Sequence, residues 1–262
     1  MKLLVKLGGT LLDTVDSRDR LAAQIAAAAE TSVQLVVVHG GGKQMTRYLA
    51  ERGIESRFVN GLRVTSPEIL DAVLKVFAGT VNHELVASLN RAGARAVGLS
   101  GIDAFLAEAE QLDPDLGAVG RVTRSDPALL DLLTTNRYLP VVACVAGDRQ
   151  GQVYNVNADR MAVACAAAFG AQQLVFLTDV EGVLDESRQV RSVLSARESE
   201  SLIRNGIATG GMQAKLEAAL AALEGGVEQV RIAPGNADQV LPRLLAGEPI
   251  GTRIVLGEGK AA

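Results

Sequence analysis

The chain has 262 residues, 48% apolar and 21% charged, with a net charge of −4 and a pI near 5.4, the balance of an ordinary folded protein with a sizeable core. Mild acidity, 3% aromatic content and no tryptophan leave neither a basic footprint nor stacking platforms for nucleic acid. Two histidines and two cysteines make no zinc or haem constellation, and no apolar stretch approaches the ~20 residues of a membrane span or the pattern of a secretory leader.

In chain order, residues 3–7 form a short apolar run closed by Gly8 and Gly9. Helical periodicity covers 18–30, and a second run at 35–38 ends in His39 and three glycines, Gly40, Gly41 and Gly42. Ser66, Pro67 and Glu68 read as an N-cap with proline at the first helical position, opening a helix over 67–91. A third apolar run, 96–99, precedes Ser100 and Gly101; 103–125 holds short alternating pieces closer to hairpins than to a crossover helix. Asp126 and Pro127 open a helix over 127–136, then come a strand over 139–145, another alternating piece over 148–156 and a helix over 159–169. A strand over 174–177, a helix over 212–224, a strand over 230–232 and a helix over 237–246 complete the pattern. Short runs rich in Val, Leu and Ile are strands buried on both faces, and their alternation with helices predicts an α/β fold with a largely parallel sheet. The hairpin pieces are expected as an antiparallel edge or lid. Two lobes would share that sheet and divide near residue 175. Cys144 and Cys165 fall in apolar runs and read as buried, reduced thiols, which with the missing leader predicts a cytoplasmic chain.

The chemistry gathers where runs end in glycine. Open α/β sheets bind ligands beyond the carboxyl ends of their strands. Glycine there lets a backbone approach an anion, and N–H groups at helix starts supply positive potential. Gly8 and Gly9, Gly41 and Gly42, and Gly210 and Gly211 before a helix near Met212 fit that need. None completes G-x-G-x-x-G, and "GGGKQ" lacks the earlier glycine and the Ser/Thr of a P-loop. Lys6 stands inside the first apolar run, where a buried ammonium is costly unless paired, so it either reaches water or faces an anion. Lys215 reads either as a solvated helix residue or as a second ammonium pointing back to the same crevice. Asp159 reads either as a helix N-cap or as the carboxylate holding both lysines.

These residues carry a resemblance. "VKLGGTLL", "VVVHGGGKQM", "NGLRVT", "AGTVN", "GLSG", "YLPVV", "NVNAD", "LTDVEGVL", "GGMQAK" and "GTRIV" together make the chain similar to the amino acid kinase family from residue 2 to 255, and within it to the branch acting on N-acetyl-L-glutamate in arginine biosynthesis. The resemblance implies a three-layer αβα sandwich of the carbamate kinase-like kind. Residues 1–175 would bind the acyl amino acid and form the dimer, and 176–262 would bind ATP. Lys6 and Lys215 would stabilise the transferring phosphoryl group, with Asp159 organising them. Gly8, Gly9, Gly41 and Gly42 would lend N–H groups to phosphate oxygens, while Arg63 and Asn155 would hold substrate carboxylates. Thr178, Asp179, Val180, Gly182 and Val183, with Gly210, Gly211 and Met212, would belong to the ATP pocket, magnesium bridging the phosphates rather than sitting in a protein cage. Arginine-inhibited members carry an extra helix before the first strand; a strand that begins at once implies an arginine-insensitive homodimer. "GLSGIDAF" departs from the family pattern, which commonly has glycine at the place of Ala104 and a polar residue at that of Ile102, so a differently shaped loop is expected. Kinases of N-succinylglutamate or of carrier-linked aminoadipate or glutamate are the alternatives. A non-catalytic amino-acid sensor on the same fold is another, although it would be expected to lose Lys6, Asp159 or Lys215, and all three are present.

Overall fold

A strand covered on both faces needs apolar side chains at successive positions, and the first run supplies them: Leu3, Leu4, Val5 and Leu7 are wholly buried in the strand Lys2–Leu7. In the computed structural model, which describes residues 1–257, this strand lies inside an eight-stranded sheet. The order is Val193–Ser195, Thr252–Val255, Gln229–Pro234, Gln173–Thr178, Lys2–Leu7, Gln34–His39, Leu139–Ala143, Ala96–Ser100. Six strands run parallel; Thr252–Val255 turns antiparallel to Gln229–Pro234, and Val193–Ser195 follows it. Two sets of helices pack on the sheet. Val15–Ala29 joins Asn82–Arg91 and Val240–Leu245, and Ala158–Phe169 joins Gly210–Glu224. The α/β class with a mostly parallel sheet is as expected, and among the described residues no helix is long and apolar enough to cross a membrane.

The alternating pieces behave differently from the edge or lid expected of them. Ala107–Gln111, Val119–Ser125, Val145–Gly147 and Val153–Val156 close into a small four-stranded barrel. The expected strand over 139–145 breaks at Cys144, which frees Val145–Gly147 to pair antiparallel with Val153–Val156. Closure leaves no open edge to protect.

Most helix starts follow their sequence signals. Ser66 Oγ accepts from the Ile69 N–H with Pro67 at the first turn, but the helix continues as a π segment, Leu74–Val81, before Asn82–Arg91. The Asp126 carboxylate accepts from the Ala128 N–H (2.9 Å), so that helix, Ala128–Thr135, starts one residue later than predicted. The last helix is shorter than expected, Val240–Leu245, because Gln239 before it takes a left-handed backbone. Sequence periodicity missed the helix Gly42–Ala50, the hairpin Phe58–Val59 with Leu62–Arg63, and the helix Ala196–Arg204 with its Ser195–Glu198 capping box. In the loop that departs from the family pattern, Ala104 has φ 51°, the region where glycine is favoured; the backbone is glycine-like without the glycine.

Candidate active site

Asp159 decides between its two readings by position. The cap of the helix Ala158–Phe169 is Asn157, whose side chain accepts from the Asp159 and Arg160 N–H groups. Asp159 is therefore not the cap, and in the first turn of that helix it faces Lys6 of the first strand. Its Oδ1 lies 2.6 Å from Lys6 Nζ and its Oδ2 3.7 Å from Lys215 Nζ. Lys6 and Asp159 are each 7% exposed. Burial by itself would raise the Asp159 carboxyl, but the charges of Lys6 and then Lys215 outweigh it and hold the group below the usual carboxylate range. Lys215, on the helix Gly210–Glu224, is half-buried, and its ammonium also reaches the Gly211 carbonyl (3.4 Å). One carboxylate thus holds two ammonium groups that come from different parts of the chain.

The glycine turns meet beside this trio. A side chain on Gly9 would press on the Gly42 backbone nitrogen at 3.2 Å, so the turns after the first and second strands lie backbone to backbone. Gly41 is packed on the π segment, where a Cβ would sit 2.8 Å from Phe77 Cδ1. Gly8 fits the crevice by shape only, since its N–H donates to the Leu177 carbonyl (2.9 Å) and is not free for a phosphate. The helix starts at Gly42 and Gly210 each leave first-turn N–H groups without intrahelical partners, the condition for anion binding.

A cavity of about 160 Å³ brings together Gly41, Gly42, Arg63 and Asn155, and a more open cleft of about 680 Å³ continues along Gly9, Gly42 and Lys43. Arg63 is 8% exposed. Its guanidinium donates to Thr46 Oγ1 (2.9 Å), to the Gly42 carbonyl (3.3 Å) and to Ser56 Oγ, and it faces the Phe58 ring. Burial lowers its pKa, and among the described residues no carboxylate pairs with it. Another cleft of about 520 Å³ lies at the amino ends of the strands, bounded by Gln34, Arg95 and Leu139, the end where open α/β sheets do not place their chemistry.

On the other side of the crevice, Thr178 ends its strand and its hydroxyl donates to Asp179 Oδ1 (3.1 Å). Asp179 and Val180 are exposed, whereas Val183 is buried and its N–H donates to Thr252 Oγ1 (2.8 Å), tying this loop to the last strand. Gly210 and Gly211 are exposed and Met212 half-buried at the start of the helix that carries Lys215.

His39 is structural. Its Nδ1–H donates to the Gly40 carbonyl (2.7 Å), and Nε2 accepts from the Asn82 amide (2.9 Å), which also donates to the Val141 carbonyl (2.9 Å). Complete burial lowers its pKa to about 4 against the backbone hydrogen bond that favours charge. The unfolded chain therefore binds a proton below about pH 6.5 that the folded chain refuses until about pH 4. Stability should fall as pH drops through that window, by at most about 3 kcal/mol. Thermal melts of the wild type and of His39→Asn test this: the variant, weaker at neutral pH, should lose less over the same range, and equal slopes would exclude His39 as the source. Cys144 and Cys165 are buried, which pushes both thiols up to about 12.

The model of the amino acid kinase family matches residues 1–234. The chain belongs to that family. An acetylglutamate kinase from Solibacter usitatus (strain Ellin6076) is 74% identical over 255 residues, covering 97% of this chain and 99% of that protein. The N-acetylglutamate synthase from Neisseria gonorrhoeae, complexed with coenzyme A and N-acetyl-glutamate, superposes with a TM-score of 0.87 at 28% identity; the match takes in 100% of this chain and 60% of that one. Carbamate kinase from Giardia lamblia bound to AMP-PNP gives a TM-score of 0.74 at 16% identity over 98% of both chains, a likeness of fold alone. In chemical terms, an ammonium pair on one buried carboxylate beside glycine-lined helix starts can neutralise a phosphoryl group in transfer.

Sequence reasoning missed supporting residues, Asn157 and Thr46 among them. Asn157 was legible, being a favoured cap residue two places before Asp159; Thr46, which bonds Arg63, gave no signal.

Proposed function

We propose that the chain transfers the γ-phosphoryl group of ATP, taken as its magnesium complex, to the γ-carboxylate of N-acetyl-L-glutamate, yielding N-acetyl-L-glutamyl 5-phosphate and ADP in arginine biosynthesis. The observation that carries this reading is the grip of Asp159 on Lys6 and Lys215 beside the Gly41–Arg63 cavity, in a chain 74% identical to an acetylglutamate kinase. A carboxylate oxygen forms the new O–P bond as the bond from the γ-phosphorus to the β,γ-bridging oxygen breaks and ADP departs. The acceptor is already ionised at neutral pH, so no general base is needed. Lys6 and Lys215 meet the charge that spreads over the three non-bridging oxygens, and the free N–H groups of Gly9, Gly41 and Gly42 aim at the same oxygens. Arg63 takes a substrate carboxylate and Asn155 lies beside it.

Residues 178–183 and 210–212 flank the nucleotide in this reading. The lobes are 1–175 for the acyl amino acid and 176–262 for ATP, of which 258–262 lie outside the described residues. A cytoplasmic homodimer is part of the same proposal; Ala96–Ser100, the last strand of the sheet, leaves a backbone edge for a second copy.

The test is an ATP-dependent assay with hydroxylamine trapping of the acyl phosphate on N-acetylglutamate, N-succinylglutamate, free glutamate and aspartate. Turnover of N-acetylglutamate well above the other three is expected. Preference for another acceptor would move the substrate, and silence on all four would overturn the reading.

A further inference from the structure

We infer that Thr65 is a positioning residue of this site, resting on the proposed substrate: its hydroxyl fixes which way the Asn155 amide faces. Thr65 is fully buried within the "NGLRVT" motif. Its Oγ1–H donates to the Arg63 carbonyl (2.8 Å), and Oγ1 accepts from Asn155 Nδ2 (3.0 Å). A hydroxyl has one hydrogen to give. With that hydrogen held by Arg63, Thr65 can only accept from Asn155, so the amide must turn its NH₂ toward Thr65. Asn155 Oδ1 is then left as an acceptor with no protein donor among the described residues, on a side chain that lines the same cavity as Arg63.

The backbone around the pair is locked. Thr65 N–H donates to the Leu116 carbonyl (2.9 Å), Ala118 N–H to the Thr65 carbonyl (2.7 Å) and Asn155 N–H to the Ala118 carbonyl (2.9 Å). Gly117 permits this closeness, since at φ +67° a Cβ would lie 2.3 Å from the Thr65 carbonyl oxygen. Thr65 and Asn155 thus cannot drift apart, and the hydroxyl alone chooses the orientation of the amide.

An acyl amino acid offers a carboxylate, which suits Arg63, and one amide N–H, which suits a fixed acceptor. Asn155 Oδ1 takes that N–H, so Asn155 meets the amide rather than the carboxylate that the resemblance implies, and the carboxylate falls to Arg63. A site built around one acceptor penalises an analogue lacking the donor.

The experiment compares wild type, Thr65→Val and Thr65→Ser on N-acetylglutamate and on the ester isostere O-acetyl-2-hydroxyglutarate, which lacks the N–H. Wild type should show a KM for the ester about 10-fold above that for the amide, in line with one lost hydrogen bond. Thr65→Val should raise the amide KM about 10-fold, leave kcat within about 3-fold and the ATP KM unchanged, and lose most of the amide-over-ester preference. Thr65→Ser, which keeps the hydroxyl, should restore both KM and preference. Equal KM values for amide and ester in the wild type would overturn the proposal, and that arm stands even if Thr65→Val does not fold. Unchanged discrimination in folded Thr65→Val would overturn it as well. A wild type inactive on N-acetylglutamate would instead overturn the substrate reading.

Discussion

Lys215→Met is expected to lower kcat by about 10²- to 10³-fold with little change in melting temperature, whereas Lys6→Met should lose turnover to a similar degree and also destabilise the fold by about 3 kcal/mol. The catalytic part follows from the size of effect seen when one preorganised charge or donor is taken from a developing oxyanion. The difference in stability follows from burial. Lys6 lies 2.6 Å from Asp159 and both are nearly inaccessible, so its removal leaves a buried carboxylate facing only the ammonium at 3.7 Å. Lys215 is half-buried and the more distant partner, and Asp159 keeps Lys6 when it is gone. Steady-state rates and thermal melts on both variants separate the terms. Wild-type turnover in either variant would remove that lysine from the phosphoryl site, and equal destabilisation would mean that Asp159 leans on both alike.

The same trio fixes an expected pH response. The folded-state pKa of Asp159 lies below the unfolded value of about 3.9. Its contribution to stability is therefore in place above that value and lost only as pH falls through the lower folded pKa. The carboxylate that holds Lys6 and Lys215 is therefore ionised across the neutral range.

Lys6 was legible in the sequence because an ammonium inside an apolar strand is an anomaly that needs a partner. Asp159 was only half legible: a carboxylate at a helix start is as often a cap as a ligand, and the choice fell to Asn157, which takes the cap and leaves Asp159 free. The parallel strands could be read because burial on both faces demands unbroken apolar runs. The small barrel could not, since its closure depends on a break at Cys144 and on pairings between segments distant in sequence. The π segment shares its apolar residues with an ordinary helix, so periodicity had nothing to detect over 74–81. Thr65 stayed hidden for a similar reason: its partner is 90 positions away, and a threonine hydroxyl declares no role until both of its bonds are known.

Arg63→Ala should raise KM for the acyl amino acid by about 10- to 100-fold with kcat changed far less, the range expected for a charge-assisted hydrogen bond lost from substrate and transition state alike. Arg63 is buried, held by Thr46, Gly42 and Ser56, and lacks a protein carboxylate among the described residues. Such a guanidinium has its direction fixed before ligand arrives, so little ordering is lost on binding. Arg63→Lys should recover only part of the loss, because an ammonium cannot keep the three protein contacts and still offer a paired donor edge. The contact with the Gly42 carbonyl supplies the discriminating control. If Arg63 acted mainly by bracing that turn, its removal would disturb the phosphate cradle, and kcat and the ATP KM would change while the acyl amino acid KM stayed put. A rise confined to the acyl amino acid KM assigns Arg63 to the substrate carboxylate.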